Sequence, residues 1–160
     1  MQRKIGLEFG HYRQENPLVL NTRSLYLYVI LIAVLLSFVT NFGFSSLLEP
    51  FLFLKDNGSS FYPSFENTFL VSKEWWRLIT PTFLHFSLTH LIFNCLWIYI
   101  LGSKIEIIDG KEIFLTLFLF ASLSSNLGQY FLTGDYLFGG LSGAIYGLLG
   151  YCFILDLDNR

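Results

Sequence analysis

A serine in a glycine-rich stretch near the carboxyl end has the type and setting best suited to covalent chemistry. Ser142 lies in a Gly-x-Ser-Gly motif, and we expect it at the start of a helix rather than in its middle. The start of a helix presents unpaired backbone N–H groups and the positive end of the helix dipole. Such groups stabilise the oxyanion that forms when a serine attacks a carbonyl. Tyr146 follows one turn later on the same face.

The same stretch has a second interpretation, in which it only packs helices together. Gly139, Gly143 and Gly147 are spaced by four and form a flat ridge on which another helix can lie closely. By itself the motif is common in glycine-rich membrane helices. The pattern therefore leaves a nucleophile and a packing ridge both open.

Two histidines and an asparagine form another group of candidate functional residues. His90 and Asn94 are four residues apart, so on a helix they share one face. His85 is five residues before His90 and is predicted to point elsewhere. Polar side chains in apolar segments mark function or hydrogen-bond between helices, and for His90 with Asn94 both interpretations stay open.

A third polar group is better explained by packing. Small hydroxyls permit close helix approach, and asparagine and glutamine can bond across helices. The residues of this group are Ser122, Ser124, Ser125, Asn126 and Gln129.

The distribution of charge shows which elements must position these side chains. The 160 residues contain 12 acids and 10 bases, and only 14% are charged, against about 25% in a soluble domain. The charges leave four uncharged runs, at 24–48, 78–103, 113–134 and 136–155. Each run reaches the roughly 20 residues that cross a bilayer. The composition predicts an all-α, polytopic membrane helix bundle and argues against a soluble globular domain, a disordered chain and a nucleic-acid-binding protein.

The spans can be placed along the chain. They are predicted at about Leu25–Phe44, Thr82–Leu101, Glu112–Leu132 and Tyr136–Leu155. The long connection from Ser45 to Pro81 is predicted to be partly helical and to rest in the membrane interface, since long loops commonly contain structure of their own. Cys95 and Cys152 both fall in apolar runs, where a disulfide framework or a zinc cluster is not expected.

Basic residues near the span ends predict the orientation. Six of them fall on the amino-terminal side of the bundle and three on the other side. The six are Arg3, Lys4, Arg13, Arg23, Lys104 and Lys111, and the three are Lys55, Lys73 and Arg77. The bias predicts a cytoplasmic amino terminus.

The combination of motifs resembles the rhomboid family of intramembrane serine proteases. Trp76-Arg77 ends the long first loop, His-x-x-x-x-His-x-x-x-Asn opens the second span, and Gly-x-Ser-Gly-x-x-Tyr-Gly opens the fourth. Gly102 and Glu106 also match the spacing of the rhomboid pattern. The resemblance implies a bacterial-type fold of six spans with a membrane-embedded first loop, of which this chain holds four.

The resemblance also implies roles for individual residues. Ser142 would be the catalytic nucleophile. The oxyanion would be bound by the side chains of His90 and Asn94 and by the backbone N–H groups of Ser142 and Leu141. The supporting residues would be Tyr146, which packs against the general base, together with Gly140, Gly143, Trp76 and Arg77. No cofactor or metal is implied. The implied partners are the lipid bilayer and transmembrane protein substrates, in the bacterial inner membrane.

The general base of such an enzyme is not in this sequence. Rhomboids carry it as a histidine on a later span, whereas the histidines here are His11, His85 and His90, all before Ser142. We therefore expect residues 1–23 to be a cytoplasmic segment and 24–160 a partial membrane domain that does not hydrolyse peptide bonds without the carboxyl-terminal spans. The alternatives are a rhomboid-like pseudoenzyme that binds transmembrane helices, and an unrelated four-span scaffold or transporter subunit.

Overall fold

The computed structural model describes residues 24–56 and 63–158, so the predicted amino-terminal segment 1–23 lies outside the described residues. Four helices dominate: α1 (Leu25–Val39), α2 (Leu88–Ile108), α3 (Lys111–Thr133) and α4 (Ser142–Asp158). Within the described ranges the chain forms helices and loops and contains no strand. The predicted all-α bundle is confirmed.

Two of the helices are long and apolar enough to cross a membrane, namely α2 and α3, while α1 and α4 are shorter apolar helices. Their outward faces carry large apolar side chains, such as Ile92, Phe93 and Leu96, each more than half exposed. Apolar surface of this extent is unfavourable in water and suits contact with lipid tails.

The second helix begins later than the sequence pattern predicts. Pro81 lies in a short helical turn, Thr80–Phe83, and the chain is extended at Leu84 and Ser87 before the helix starts. The Ser87 hydroxyl accepts a hydrogen bond from the backbone N–H of His90 at 3.3 Å and so caps the helix. His85 therefore lies before the helix, where a helical period does not apply.

The charged residues expected in a loop after this span instead continue the helix. Lys104 pairs with Asp156 of α4 at 3.0 Å, and Glu106 accepts a hydrogen bond from the backbone N–H of Tyr26 at 2.7 Å. Tyr26 lies in the first turn of α1, whose N–H groups have no partner inside the helix. Lys104 and Glu106 thus join the carboxyl end of α2 to the end of α4 and the start of α1.

Glycines bring α4 close to α3. A Cβ atom on Gly143 would lie 2.4 Å from the Cβ of Ser125, and one on Gly147 would lie 2.4 Å from the Cβ of Ala121. Both distances are well inside van der Waals contact, so only glycine fits at these positions. The predicted packing ridge is present, although Gly139 lies before the helix and contacts Leu84 instead.

The long first connection is partly helical, as predicted. Its described part contains short helical turns separated by extended segments. These turns are Ser46–Phe51, Glu66–Val71, Trp75–Leu78 and Thr80–Phe83. A further turn, Asn41–Gly43, lies where the first span was predicted to continue to Phe44, because α1 already ends at Val39. Trp75 and Trp76 are both about half exposed, which fits the expected position in the membrane interface.

Arg77 holds this connection together from inside. The guanidinium is 2% exposed and donates to the Glu74 carboxylate at 2.6 Å and to the Glu49 carboxylate at 2.9 Å. It also donates to the backbone carbonyls of Glu49 and Leu52. Lys55 forms a further ion pair with Glu74. Because these partners lie up to 28 residues away, one side chain closes the loop on itself.

An aromatic cluster fastens the same loop to the bundle. Phe53 packs against Phe69 within the loop, against Tyr130 of α3 with ring centroids 5.1 Å apart, and against Phe138 at 5.5 Å. Asn126 of α3 also donates to the backbone carbonyl of Leu78 at 2.8 Å. The loop is therefore a packed part of the fold.

Replacing Gly143 tests the close approach of α3 and α4. We expect Gly143→Ala to destabilise the folded state by about 1–3 kcal/mol, because the added methyl overlaps Ser125 and the helices must separate. Gly150→Ala is the matched control on the same helix, since a Cβ there meets nothing within 4 Å. Equal unfolding midpoints of the two variants in mixed detergent micelles would contradict the packing described.

Removing the buried cation tests the first loop. Arg77→Met removes the guanidinium that joins Glu49, Glu74 and two backbone carbonyls, while Glu74 keeps its ion pair with Lys55. We expect a loss of about 3–5 kcal/mol in unfolding free energy. Lys104→Met breaks an exposed ion pair and should cost about 0–1 kcal/mol. Unfolding followed by tryptophan fluorescence would compare the two variants. Similar losses of unfolding free energy would show that Arg77 does not stabilise the first loop.

Acid should loosen the same loop through Glu74. Burial favours the neutral carboxyl, but hydrogen bonds from Lys55 and Arg77 outweigh burial and hold the pKa of Glu74 below its ordinary value. The folded state then binds the proton less tightly than the unfolded state. The ionised Glu74 carboxylate therefore contributes fully to the free energy of unfolding above about pH 4.3, the ordinary pKa of glutamate. This contribution is lost as the pH falls through the lower pKa of Glu74 in the folded state.

To test this, the midpoint of unfolding is measured at a series of pH values from neutral to strongly acidic, for the unmodified chain and for two variants. Glu74→Gln should remove part of the loss of stability in acid. Lys55→Met should also reduce this loss, because the pKa of Glu74 is then lowered less. A Glu74→Gln curve parallel to that of the unmodified chain would refute this role for the carboxylate.

Candidate active site

Ser142 is the first residue of α4, as the sequence predicts. The carbonyl of Leu141, just before it, accepts the first helical hydrogen bond from Ile145 at 2.9 Å. Leu141 itself is fully buried, whereas Ser142 is only half-buried. The hydroxyl is therefore reachable at a helix end whose N–H groups have no partner within the helix.

The two glycines before Leu141 allow the backbone that leads into Ser142 to lie close to the end of the first loop. Gly140 has a φ of +127°, a conformation that favours glycine, and its N–H donates to the carbonyl of Pro81 at 3.1 Å. A Cβ on Gly139 would lie 2.8 Å from that same carbonyl. The end of the first loop thus lies directly against the segment that leads into Ser142.

His90 lies against the same segment. A Cβ on Gly140 would come within 2.6 Å of Cε1 and 3.0 Å of Nε2 of the His90 ring, so a side chain there would displace the imidazole. The same Cβ position is 3.5 Å from Nδ2 of Asn94. The structure therefore brings His90 and Asn94 together beside the backbone that precedes the serine.

His85 is also part of this cluster, and its predicted orientation is wrong. Its ring is 5.1 Å from that of His90, and Asn94 Nδ2 lies 3.0 Å from His85 Nε2. Sequence reasoning placed His85 on another face because it assumed an unbroken helix through Thr82–Leu101. Ser87 and Pro81 were the available signals of a later start.

An open cavity of about 80 Å³ lies beside Ser142. Three polar side chains of α3 contribute to its wall, although their sequence pattern favoured packing alone. The lining residues are Ser125, Asn126, Gln129, Phe138, Gly139, Gly140, Ser142 and Gly143. Asn126 both lines the cavity and joins neighbouring segments, since it also donates to Thr82 Oγ1 at 3.0 Å.

The other predicted residues are not all at this cavity. Tyr146 lies one turn after Ser142 with its side chain 75% exposed. Trp76 and Arg77 belong to the first-loop cluster, and Trp76 Nε1 donates to the carbonyl of Pro50. Their segment leads into the turn that contains Pro81, whose carbonyl accepts the N–H of Gly140.

The described residues contain no group of three or more histidine, cysteine or acidic side chains that could hold a metal ion. The rings of the two described histidines, His85 and His90, lie 5.1 Å apart, and neither residue lines the cavity.

Known proteins share sequence with the region that contains this site. The Rhomboid domain family matches residues 72–160, which include every side chain of the cluster and Ser142. The chain is 38% identical over 95 residues to rhomboid protease GluP of Bacillus subtilis, covering 59% of this chain and 18% of that protein. It is 38% identical over 99 residues to rhomboid protease GlpG of Haemophilus influenzae, covering 62% and 50%.

A third relative, rhomboid protease GlpG of Serratia proteamaculans, is 42% identical over 79 residues, covering 49% of this chain and 28% of that protein. In each of these matches the aligned part is half or less of the relative's length. The family match covers more than half of this chain and contains both the serine-bearing helix end and the His90–Asn94 pair. The chain therefore belongs to the rhomboid family, whose members are integral membrane proteins.

Proposed function

We propose that this chain supplies the nucleophile and the oxyanion-binding groups of an intramembrane serine endopeptidase that cleaves transmembrane segments of membrane proteins. The observation that carries this proposal is the position of Ser142. It is reachable at the start of α4, beside an open polar cavity and next to the Gly140 backbone on which His90 and Asn94 converge.

The chemistry follows from that position. Ser142 Oγ forms a bond to the carbonyl carbon of a substrate peptide while its proton passes to a base, and the carbonyl oxygen becomes an oxyanion. The backbone N–H groups of Leu141 and Ser142 and the side chains of His90 and Asn94 are the donors for that charge. The C–N bond then breaks, the amine leaves with the proton, and water releases the acyl group from the serine.

The general base comes from polypeptide other than residues 1–160. Both nitrogens of His85 already have partners in Asn94 and Phe83, and His90 lies on the oxyanion side beside Gly140. The exposed ring of Tyr146, one turn below Ser142, is a surface against which an incoming histidine can pack. An activated serine needs such a base, so these residues alone do not cleave.

The arrangement of helix ends supports a topology. Glu106 contacts the start of α1, and Lys104 contacts the end of α4, so these three ends lie on one side. Ser142 and His90 lie at the opposite ends of α4 and α2. With the basic amino terminus in the cytoplasm of a bacterium, the site opens toward the outer face of the inner membrane.

The second candidate is a rhomboid-like protein that binds transmembrane helices without cutting them. It is favoured by the open cavity and by the exposed Tyr146, both of which offer contacts that need no base. The two candidates differ in whether Ser142 becomes reactive once a histidine is supplied.

The test joins residues 1–160 to the histidine-bearing spans of a rhomboid relative and reconstitutes the fusion with a transmembrane substrate. We expect cleavage by the fusion, none by residues 1–160 alone, and a fall of about 10⁴-fold or more in Ser142→Ala. A fluorophosphonate probe should label the fusion and not the unfused chain. Cleavage that survives Ser142→Ala, or a fusion that folds but never cleaves, would overturn the protease proposal.

A further inference from the structure

We propose that His85 is a positioning residue that fixes the side-chain amide of Asn94 with its nitrogen toward the Gly140 backbone. The proposal rests on the proposed function, because it assigns a role to the group that orients one of the oxyanion donors. It begins from the contact between Asn94 Nδ2 and His85 Nε2, at 3.0 Å and buried on both sides.

The direction of this hydrogen bond follows from the chemistry of the two groups. An amide nitrogen has no free lone pair, so Asn94 Nδ2 can only donate and His85 Nε2 must accept. The imidazole proton is then on Nδ1. His85 therefore is neutral and in one defined tautomer.

The surroundings of Nδ1 agree with that tautomer. Nδ1 lies 3.2 Å from the carbonyl oxygen of Phe83, which can only accept a hydrogen bond. On the α1 side, Ser37 Oγ lies 3.4 Å away and already donates to the carbonyl of Ala33 at 2.7 Å. Its lone pairs therefore face the histidine. Two acceptors meet Nδ1 and one donor meets Nε2.

The contact leaves little freedom to the amide of Asn94. The His85 side chain is 0% exposed and Asn94 is 5% exposed, so water does not compete for the contact. One N–H of Asn94 is bound to His85 and the other remains for a ligand. Nδ2 is also the amide atom 3.5 Å from the Cβ position of Gly140. A rotated amide would place an oxygen there, which would repel an oxyanion.

Two substitutions separate this role from simple space filling. The terminal atoms of glutamine reach about as far as ring Nε2, whereas those of asparagine reach only about as far as Nδ1. In the cleaving fusion, His85→Gln should keep kcat close to that of the unmodified protein. His85→Asn should lower kcat by up to roughly 10²-fold, the loss typical of one oxyanion donor, with KM unchanged. Equal kcat values for Gln and Asn would overturn the proposal.

A double-mutant cycle shows whether His85 acts through Asn94. Asn94→Ala should lower kcat by about as much as His85→Asn, and combining the two should cost nothing further. An additional loss in the double variant would mean that His85 acts by another route. Thr40→Val removes a buried hydroxyl just after α1 that donates to the carbonyl of Leu36. This variant controls for general destabilisation and should leave kcat unchanged.

A second measurement needs no activity and uses residues 1–160 themselves. In ¹⁵N-histidine-labelled protein in micelles near neutral pH, the His85 ring should carry its proton on Nδ1, with the signal assigned by its loss in His85→Gln. A proton on Nε2 would refute the positioning role whatever the fusion does. A fusion that does not cleave while Nδ1 is protonated would overturn the proposed function and leave the orientation of Asn94 established.

Discussion

A polar group inside a bilayer has no water to bond with, so its partner must come from the protein itself. The fold of this chain follows from that constraint. Arg77 uses two carboxylates and two backbone carbonyls, and Glu106 takes up an unpaired N–H of α1. Asn94 and His85 satisfy one another. The contacts of Arg77 with Glu49 and of Glu106 with Tyr26 join segments 28 and 80 residues apart, so the requirement for partners also determines which elements lie together.

The first loop and the site meet at Pro81. Its carbonyl receives the N–H of Gly140, while the preceding turn is held to α3 by the bond from Asn126 to Leu78. The loop closed by Arg77 therefore sets the position of the backbone before Ser142. In this way a cluster that does not contact Ser142 still determines where this residue lies.

The sequence predicts the features that depend on local pattern. The uncharged runs predicted the four main helices. The glycine-rich stretch from Gly139 to Gly147 predicted both a packing ridge and a helix that starts at Ser142. The start of α2 was predicted too early, because apolar residues continue through the extended segment before Ser87. The contact of His85 with Asn94 was missed for the same reason. The contacts of Lys104 and Glu106 could not be predicted, since each depends on a partner from another helix whose register the chain's own pattern does not contain.

The bond between Glu106 and Tyr26 has a consequence for biosynthesis. The two residues are 80 positions apart, and a ribosome needs on the order of ten seconds to make that length. During this interval α1 has been made, while the carboxylate that accepts the N–H of Tyr26 has not. The first turn of α1 therefore acquires this hydrogen bond only after the end of α2 has been made.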